Sequence, residues 1–349
     1  MNSVEQMYSK LSNRLRNTMP DFEIRLKAET AVAIEQLKRQ RNAVILGHNY
    51  MEAALFHSIP DFTGDSLELS RRAAETDKDM IVFCGVRFMA ETAKILSPEK
   101  TVLVPSSKAG CSLAESITAA DVRTLKARYP GVPVVTYINT YADVKAESDI
   151  CCTSGNAAAV VESLGTDTVI FLPDEYLAGN VAKETGKHIV FPTKSPVAGV
   201  NGGQTPGLDY QMIGWSGRCE VHEKFTVQDI ENIRRDFPGT VILAHPECSP
   251  EVVAASDFAG STTAMIRYVR EMNAPRYLLL TECAMGDNVA ADNPDREMLR
   301  LCSVRCPHMN EITLEDTLAA LRNTRYVVEI PENIRQRAYT AVERMLQIG

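Results

Sequence analysis

Long hydrophobic runs are missing from this chain. None of its 349 residues belongs to an uninterrupted apolar stretch of the ~18–20 residues a membrane span needs, so no transmembrane helix is expected. The opening segment lacks an apolar core of the secretory type, and the cytoplasm is the expected compartment. Runs rich in Lys and Arg are also absent. With 37 basic and 45 acidic residues the formal charge is −8, which disfavours a general binder of nucleic acid or of anionic membranes. An anionic substrate would have to be held by local geometry. No CxxC pair occurs among the nine cysteines, and their number is odd. A disulfide framework and a zinc ribbon are therefore not expected. No low-complexity tail is present. What remains is ordinary globular composition, 45% hydrophobic and 23% charged, in a chain long enough for two or three domains.

The chain repeats itself. Three segments carry the same parts in the same order. The first contains the runs Asn42–Leu46 and Met80–Cys84, then Val102–Val104, and ends at Cys111. The second contains Val134–Ile138 and Thr168–Leu172, then His188–Phe191, and ends at Cys219. The third contains Val241–Ala244 and Tyr277–Leu280, then Met298–Leu301, and ends at Cys306. Each run is short, branched or Leu-rich and bounded by polar residues, as buried parallel strands are. Helical stretches such as Ser66–Ala74 and Thr263–Val269 lie between them, so the fold is expected to be α/β. At roughly 85–110 residues the period is too long for a solenoid. The expected architecture is three small domains related by approximate threefold symmetry, each a parallel sheet with helices on both faces. Their boundaries are placed at 41–115, 116–224 and 225–312. A helical segment, 1–40, precedes them, and closing helices occupy 313–349. The stretch Ser195–Gly217, rich in Gly and Pro, is read as a loop.

Three sets of residues could carry chemistry. Cys111, Cys219 and Cys306 close the three repeats, and pseudo-symmetry would bring them to one axis. Three convergent thiolates suit a [4Fe–4S] cluster with one open iron at the central junction. A zinc held by three Cys and one His is the other metal reading, and three unrelated core cysteines the bland one. Cys302 competes with Cys306, and the adjacent Pro307 favours the latter. The second set lies at the ends of the first strands: His48 and Tyr50, Tyr137 and Asn139, His245 and Glu247. Ligand sites in parallel sheets lie beyond such ends, and this set offers acids, bases and orienting groups. The third set is the turns at Ser66, at Ser154, and at Ser261 with Thr262, each before an expected helix. Plain N-capping is the common use of such turns, but three in equivalent places suit several anionic groups. His222 could face the cysteines. His57, His188 and His308 read as structural or solvated.

Taken together, Gly47-His48-Asn49-Tyr50, Gly64-Asp65-Ser66-Leu67, Gly110-Cys111-Ser112, Tyr137-Ile138-Asn139-Thr140, Cys219-Glu220-Val221-His222, His245-Pro246-Glu247-Cys248, Gly260-Ser261-Thr262 and Cys306-Pro307-His308-Met309 resemble the quinolinate synthase family over roughly residues 40–310. The resemblance implies a [4Fe–4S] cluster on Cys111, Cys219 and Cys306. It implies condensation of iminoaspartate with dihydroxyacetone phosphate to quinolinate, with loss of phosphate and two waters. Matched motif by motif, the active-site positions are His48, Tyr50, Ser66, Tyr137, Asn139, Ser154, His222, His245, Glu247, Ser261 and Thr262. Glu247 is expected as the acid/base, with Tyr50, Tyr137 and His245 orienting and relaying. Coupling to an aspartate-oxidising enzyme follows from the same resemblance. Another cluster-dependent hydro-lyase acting on a small polyanion, or an iron–sulfur sensor, are the rival readings.

Overall fold

The structure, a computed structural model, describes residues 3–191, 211–301 and 304–348. Its strands fall into three parallel sheets. The first holds β1 (Ala43–His48), β2 (Phe62–Gly64), β3 (Met80–Cys84) and β4 (Thr101–Leu103) in the order β2-β1-β3-β4. The second holds β5 (Val134–Tyr137), β6 (Ile150–Cys152), β7 (Thr168–Leu172), β8 (His188–Val190) and β9 (Gln211–Gly214) in the order β6-β5-β7-β9-β8. The third holds β10 (Val241–Ala244), β11 (Phe258–Ala259), β12 (Arg276–Leu280) and β13 (Glu297–Leu299) in the order β11-β10-β12-β13. Every residue of β1, β3 and β5 is buried, as continuous apolar runs covered on both faces should be.

The three sheets share their local chemistry. In each, an aspartate just before the second strand clamps the first. The Oδ2 atoms of Asp61, Asp149 and Asp257 accept from the main-chain N–H of Ile45, Val134 and Ile242, each at 2.8 Å. A second signature follows each sheet. Thr118, Thr226 and Thr313 each stand seven residues after Cys111, Cys219 and Cys306, and an aspartate follows three residues later. These are N-caps: Asp121, Asp229 and Asp316 donate their main-chain N–H to the threonine hydroxyls of helices Ala119–Arg128, Val227–Asp236 and Leu314–Asn323.

One expectation needs correction. The stretch Ser195–Gly217 is not all loop, because its last part forms β9, while residues 192–210 lie outside the described residues. Met212 and Ile213 are fully apolar and buried, and pairing with β7 outweighs the Gly- and Pro-rich context. β9 takes the place equivalent to β4 and β13, and the run His188–Val190, expected there, is displaced to the sheet edge. Cys219 thus follows its sheet's fourth strand, as Cys111 and Cys306 follow theirs.

Both flanks are helical. Asp21–Gln40 packs on Ser3–Leu15 and Leu314–Asn323. Glu332–Leu346 packs on β6 and on the helices Arg87–Leu96 and Ala142–Lys145, so it spans the first two sheets. No helix among the described residues is long and apolar enough to cross a membrane.

Candidate active site

The carboxyl ends of β1, β5 and β10 converge on one cavity between the sheets. His48, Tyr50, Tyr137, Asn139, His245 and Glu247 all line it. Two strand ends use the same turn. The main-chain N–H of Tyr50 donates to His48 Nδ1 at 3.2 Å, and that of Glu247 donates to His245 Nδ1 at 3.3 Å. Because Nδ1 accepts in both, a neutral ring carries its hydrogen on Nε2. Burial keeps both rings neutral, pushing His48 down to about 4 and His245 to about 3.

Glu247 is the hub. Tyr137 and Asn139 donate to its Oε1, the latter at 3.3 Å, and His222 Nδ1 lies 2.7 Å from Oε2. Burial acting alone would raise this carboxyl. The charge and hydrogen bond of His222, with His245 and the Tyr137 hydroxyl, outweigh it and hold Glu247 well below the usual carboxylate range. The same burial and the nearby Glu247 charge raise both Tyr50 and Tyr137, so both phenols keep their protons. His222 stacks on His245, 4.5 Å between centroids. Its Nε2 lies 2.9 Å from the Thr281 hydroxyl, which lies 2.5 Å from that of Tyr50. A continuous polar chain therefore runs Glu247–His222–Thr281–Tyr50.

Cys111, Cys219 and Cys306 line the same cavity, one following each sheet. Each thiol faces the main-chain N–H groups two and three residues onward: Leu113 and Ala114, Val221 and His222, His308 and Met309. Such donors favour a thiolate, yet burial pushes the free thiols up, to about 12 at Cys111 and about 11 at Cys306. Half-buried thiols aimed at a shared space and furnished with N–H donors suit a metal that takes the proton's place. The Cys219, His222 and Glu247 ligand atoms all lie within 4.8 Å of one another, so a single ion could also be held there. Cys302 lies outside the described residues.

Of the turn residues, Ser66, Ser154 and Thr262 line the cavity. Ser261 does not. It caps the helix Thr262–Glu271 and donates to Asp65 Oδ2 at 2.9 Å, tying the third unit to the first. Phe88, Met89, Thr281 and Glu282 are not singled out by the sequence, and Asp65 enters there only as part of the Gly64-Asp65-Ser66 turn. All but Thr281 line the cavity, and Thr281 reaches it through His222 and Tyr50. His308, read as structural or solvated, also lines it and meets Glu220 at 3.1 Å. His222, left between two roles, is buried. For the third thiol the overlooked signal was the Thr-x-x-Asp cap at a constant distance: it follows Cys306, not Cys302.

Three parallel sheets around a junction of thiols, imidazoles, phenols and a carboxylate define an α/β enzyme with a thiol-lined site. The family model described as quinolinate synthetase A protein matches residues 32–347. Quinolinate synthase 2 of Mesorhizobium japonicum is 52% identical over 348 residues, the whole of both chains. Quinolinate synthase of Agrobacterium fabrum is 52% identical over 97% of this chain and 92% of its own. That of Xylella fastidiosa is 54% identical over 90% of this chain and 86% of its own. The chain belongs to the quinolinate synthase family.

Proposed function

We propose that this protein condenses iminoaspartate with dihydroxyacetone phosphate to form quinolinate, releasing phosphate and two waters. The observation that carries the reading is the convergence of three thiols, one per sheet, on the cavity that also holds the Glu247 cluster, in a chain that full-length relatives match at about half its positions. Cys111, Cys219 and Cys306 would hold a [4Fe–4S] cluster. When bound, such a cluster with three protein thiolates supplies an open iron, a Lewis acid for substrate oxygens.

The chain's own residues do the rest. Ser66, Ser154 and Thr262 stand at helix or turn starts, where hydroxyls and free N–H groups receive the two carboxylates and the phosphate. Glu247 Oε1 and Oε2 hold and move the proton exchanged along the condensed chain. His222 and Tyr137 orient that carboxylate from opposite sides, and Asn139 assists. The Nε2–H groups of His48 and His245 are neutral donors for a substrate carbonyl or carboxylate. Tyr50, through Thr281 and His222, links the first strand end to the same proton path. Burial of His48, Tyr137, His222, His245, Glu247 and Thr262 limits the access of water to an imine that water would hydrolyse. That instability also implies close functional coupling to an aspartate-oxidising enzyme, and a cytoplasmic setting suits both.

The test is iron and acid-labile sulfide per chain in anaerobically purified protein, followed by quinolinate formation. About four of each are expected, lost in Cys111→Ser, Cys219→Ser and Cys306→Ser, with turnover only in the loaded wild type. Zinc in place of iron, or a loaded enzyme that forms no quinolinate, would overturn the reading.

A further inference from the structure

Two cavity residues stand at the same place in the same four-residue turn. In residues 48–51 and 245–248 the fourth main-chain N–H donates to the first carbonyl, at 3.0 and 2.9 Å. The third residue, Tyr50 or Glu247, lines the cavity, and its own N–H donates to the histidine Nδ1. The carbonyls on either side of it are held from another unit. Asn288, on the helix Cys283–Asp292 of the third unit, donates from Nδ2 to the Asn49 and Met51 carbonyls at 3.2 and 2.9 Å. Asn180, on the helix Glu175–Thr185 of the second unit, donates from Nδ2 to the Pro246 and Cys248 carbonyls at 2.8 and 3.0 Å. The two asparagines are equivalent in the chain: each stands six residues beyond the carboxylate, Asp174 or Glu282, that caps its helix. The first unit closes the ring with a carboxylate. Glu91, on the helix Arg87–Leu96, accepts the Ala142 N–H at 2.8 Å in the stretch that follows Tyr137.

We propose that Asn180 and Asn288 are positioning residues for the reaction: each reaches out of its own unit and sets the aim of the neighbouring unit's cavity side chain, Asn180 that of Glu247 and Asn288 that of Tyr50. The inference rests on the proposed function, which makes Glu247 the proton carrier. A side-chain amide has two N–H donors, so one nitrogen can hold two carbonyls at once. Peptide units are planar, and pinning the carbonyl on each side of a residue fixes the two planes that meet at its Cα. The direction of the Cα–Cβ bond is then fixed as well. For Glu247 that direction decides whether Oε2 stays 2.7 Å from His222 Nδ1 and Oε1 stays within reach of Tyr137 and Asn139. A misplacement of about 1 Å can cost about 10²-fold in rate. Because both clamps cross unit boundaries, the aim of the acid/base also depends on how the second and third units are seated against each other.

The experiment compares variants of the metal-loaded enzyme. Asn180→Ala should lower kcat by about 10–10²-fold and leave KM within about threefold, with iron content unchanged. Asn180→Asp fills the same space without the two donors and should lose as much. Asp257→Ala, which removes a contact near the start of β10, controls for mere destabilisation and should keep kcat within about threefold. In a Glu247→Gln background, Asn180→Ala should cost less than about threefold, because a group that no longer carries the proton has nothing left to aim. Amide hydrogen exchange reads the same positioning without substrate. The Glu247 N–H should exchange about tenfold faster in Asn180→Ala, with β10 and β12 unchanged, and Asn288→Ala should speed the Tyr50 N–H in the same way. Should Asn180→Ala not fold, Asn180→Ser, which keeps one donor, should show both effects at smaller size. A kcat loss no larger than that of the control, or a loss undiminished in the Glu247→Gln background, would overturn the positioning, as would wild-type exchange at Glu247. A wild type that forms no quinolinate overturns the proposed function, whereas the exchange result is read without turnover, so the two failures are distinct.

Discussion

Glu247 is pulled in two directions, and its role depends on which wins. Desolvation favours its neutral form, while His222, His245 and Tyr137 favour the carboxylate. Because the lowering groups prevail, Glu247 begins the proposed reaction as a base and returns its proton later. Glu247→Gln keeps the shape and the contacts with Tyr137 and Asn139 but cannot accept a proton. Turnover is expected to fall by about 10²–10⁴-fold, with iron content unchanged by elemental analysis. His57, far from this chemistry, reports on folding. It is buried, and burial pushes it down to about 4. The folded chain therefore refuses a proton that the unfolded chain takes near pH 6.5, so stability is full above that pH and declines as pH falls toward 4. His57→Gln should remove on the order of 2 kcal/mol of the stability difference between pH 7 and pH 5, read by denaturant unfolding at the two values.

At the scale of elements, recurrence separates what could be read from the sequence and what could not. Strands such as β1 and β12 announce themselves because parallel strands covered on both faces are uninterrupted apolar runs. The strand-end residues were legible for the same reason: once the first strand of each unit was found, its exit was a fixed place. Thr281 and Glu282 sit at the exit of β12, the third strand of its unit, to which the first-strand pattern does not point. β9 was hidden by the Gly- and Pro-rich residues before it. No local pattern states that it enters the sheet between β7 and β8. The aspartate clamps and threonine caps are testable in the same terms. Asp257→Ala leaves the Ile242 N–H without its acceptor and frees Arg234, which meets Asp257 at 2.9 Å. A loss of about 1–3 kcal/mol is expected, measured by thermal unfolding. Thr226→Ala removes a capping box and should cost about 1 kcal/mol.

The whole molecule is held together by segments far apart in the chain. Asn288 Nδ2 donates to the Asn49 and Met51 carbonyls, joining the third unit to the first. Asn156 Nδ2 donates to the Met345 and Ile348 carbonyls, fastening the final helix beside the second sheet. That helix buries Ala338, Ala341, Val342 and Met345 completely. Val342→Asp would place a carboxylate among the apolar side chains of that seam. It is expected to cost on the order of 3–5 kcal/mol, visible as a collapse of the melting temperature and of soluble yield. The final helix also has a bearing on how the protein is made. The apolar flanks of the first two sheets stay bare while the ribosome is still translating the third. The third wall of the cavity stays incomplete until Cys306 and His308 have emerged. A nascent chain can therefore shape individual units early, but it reaches both its sealed surface and its loading-competent centre only as synthesis ends. Release from the ribosome and receipt of the proposed cluster then become adjoining events, and a prematurely terminated chain is left sticky and empty, an easy target for proteolysis.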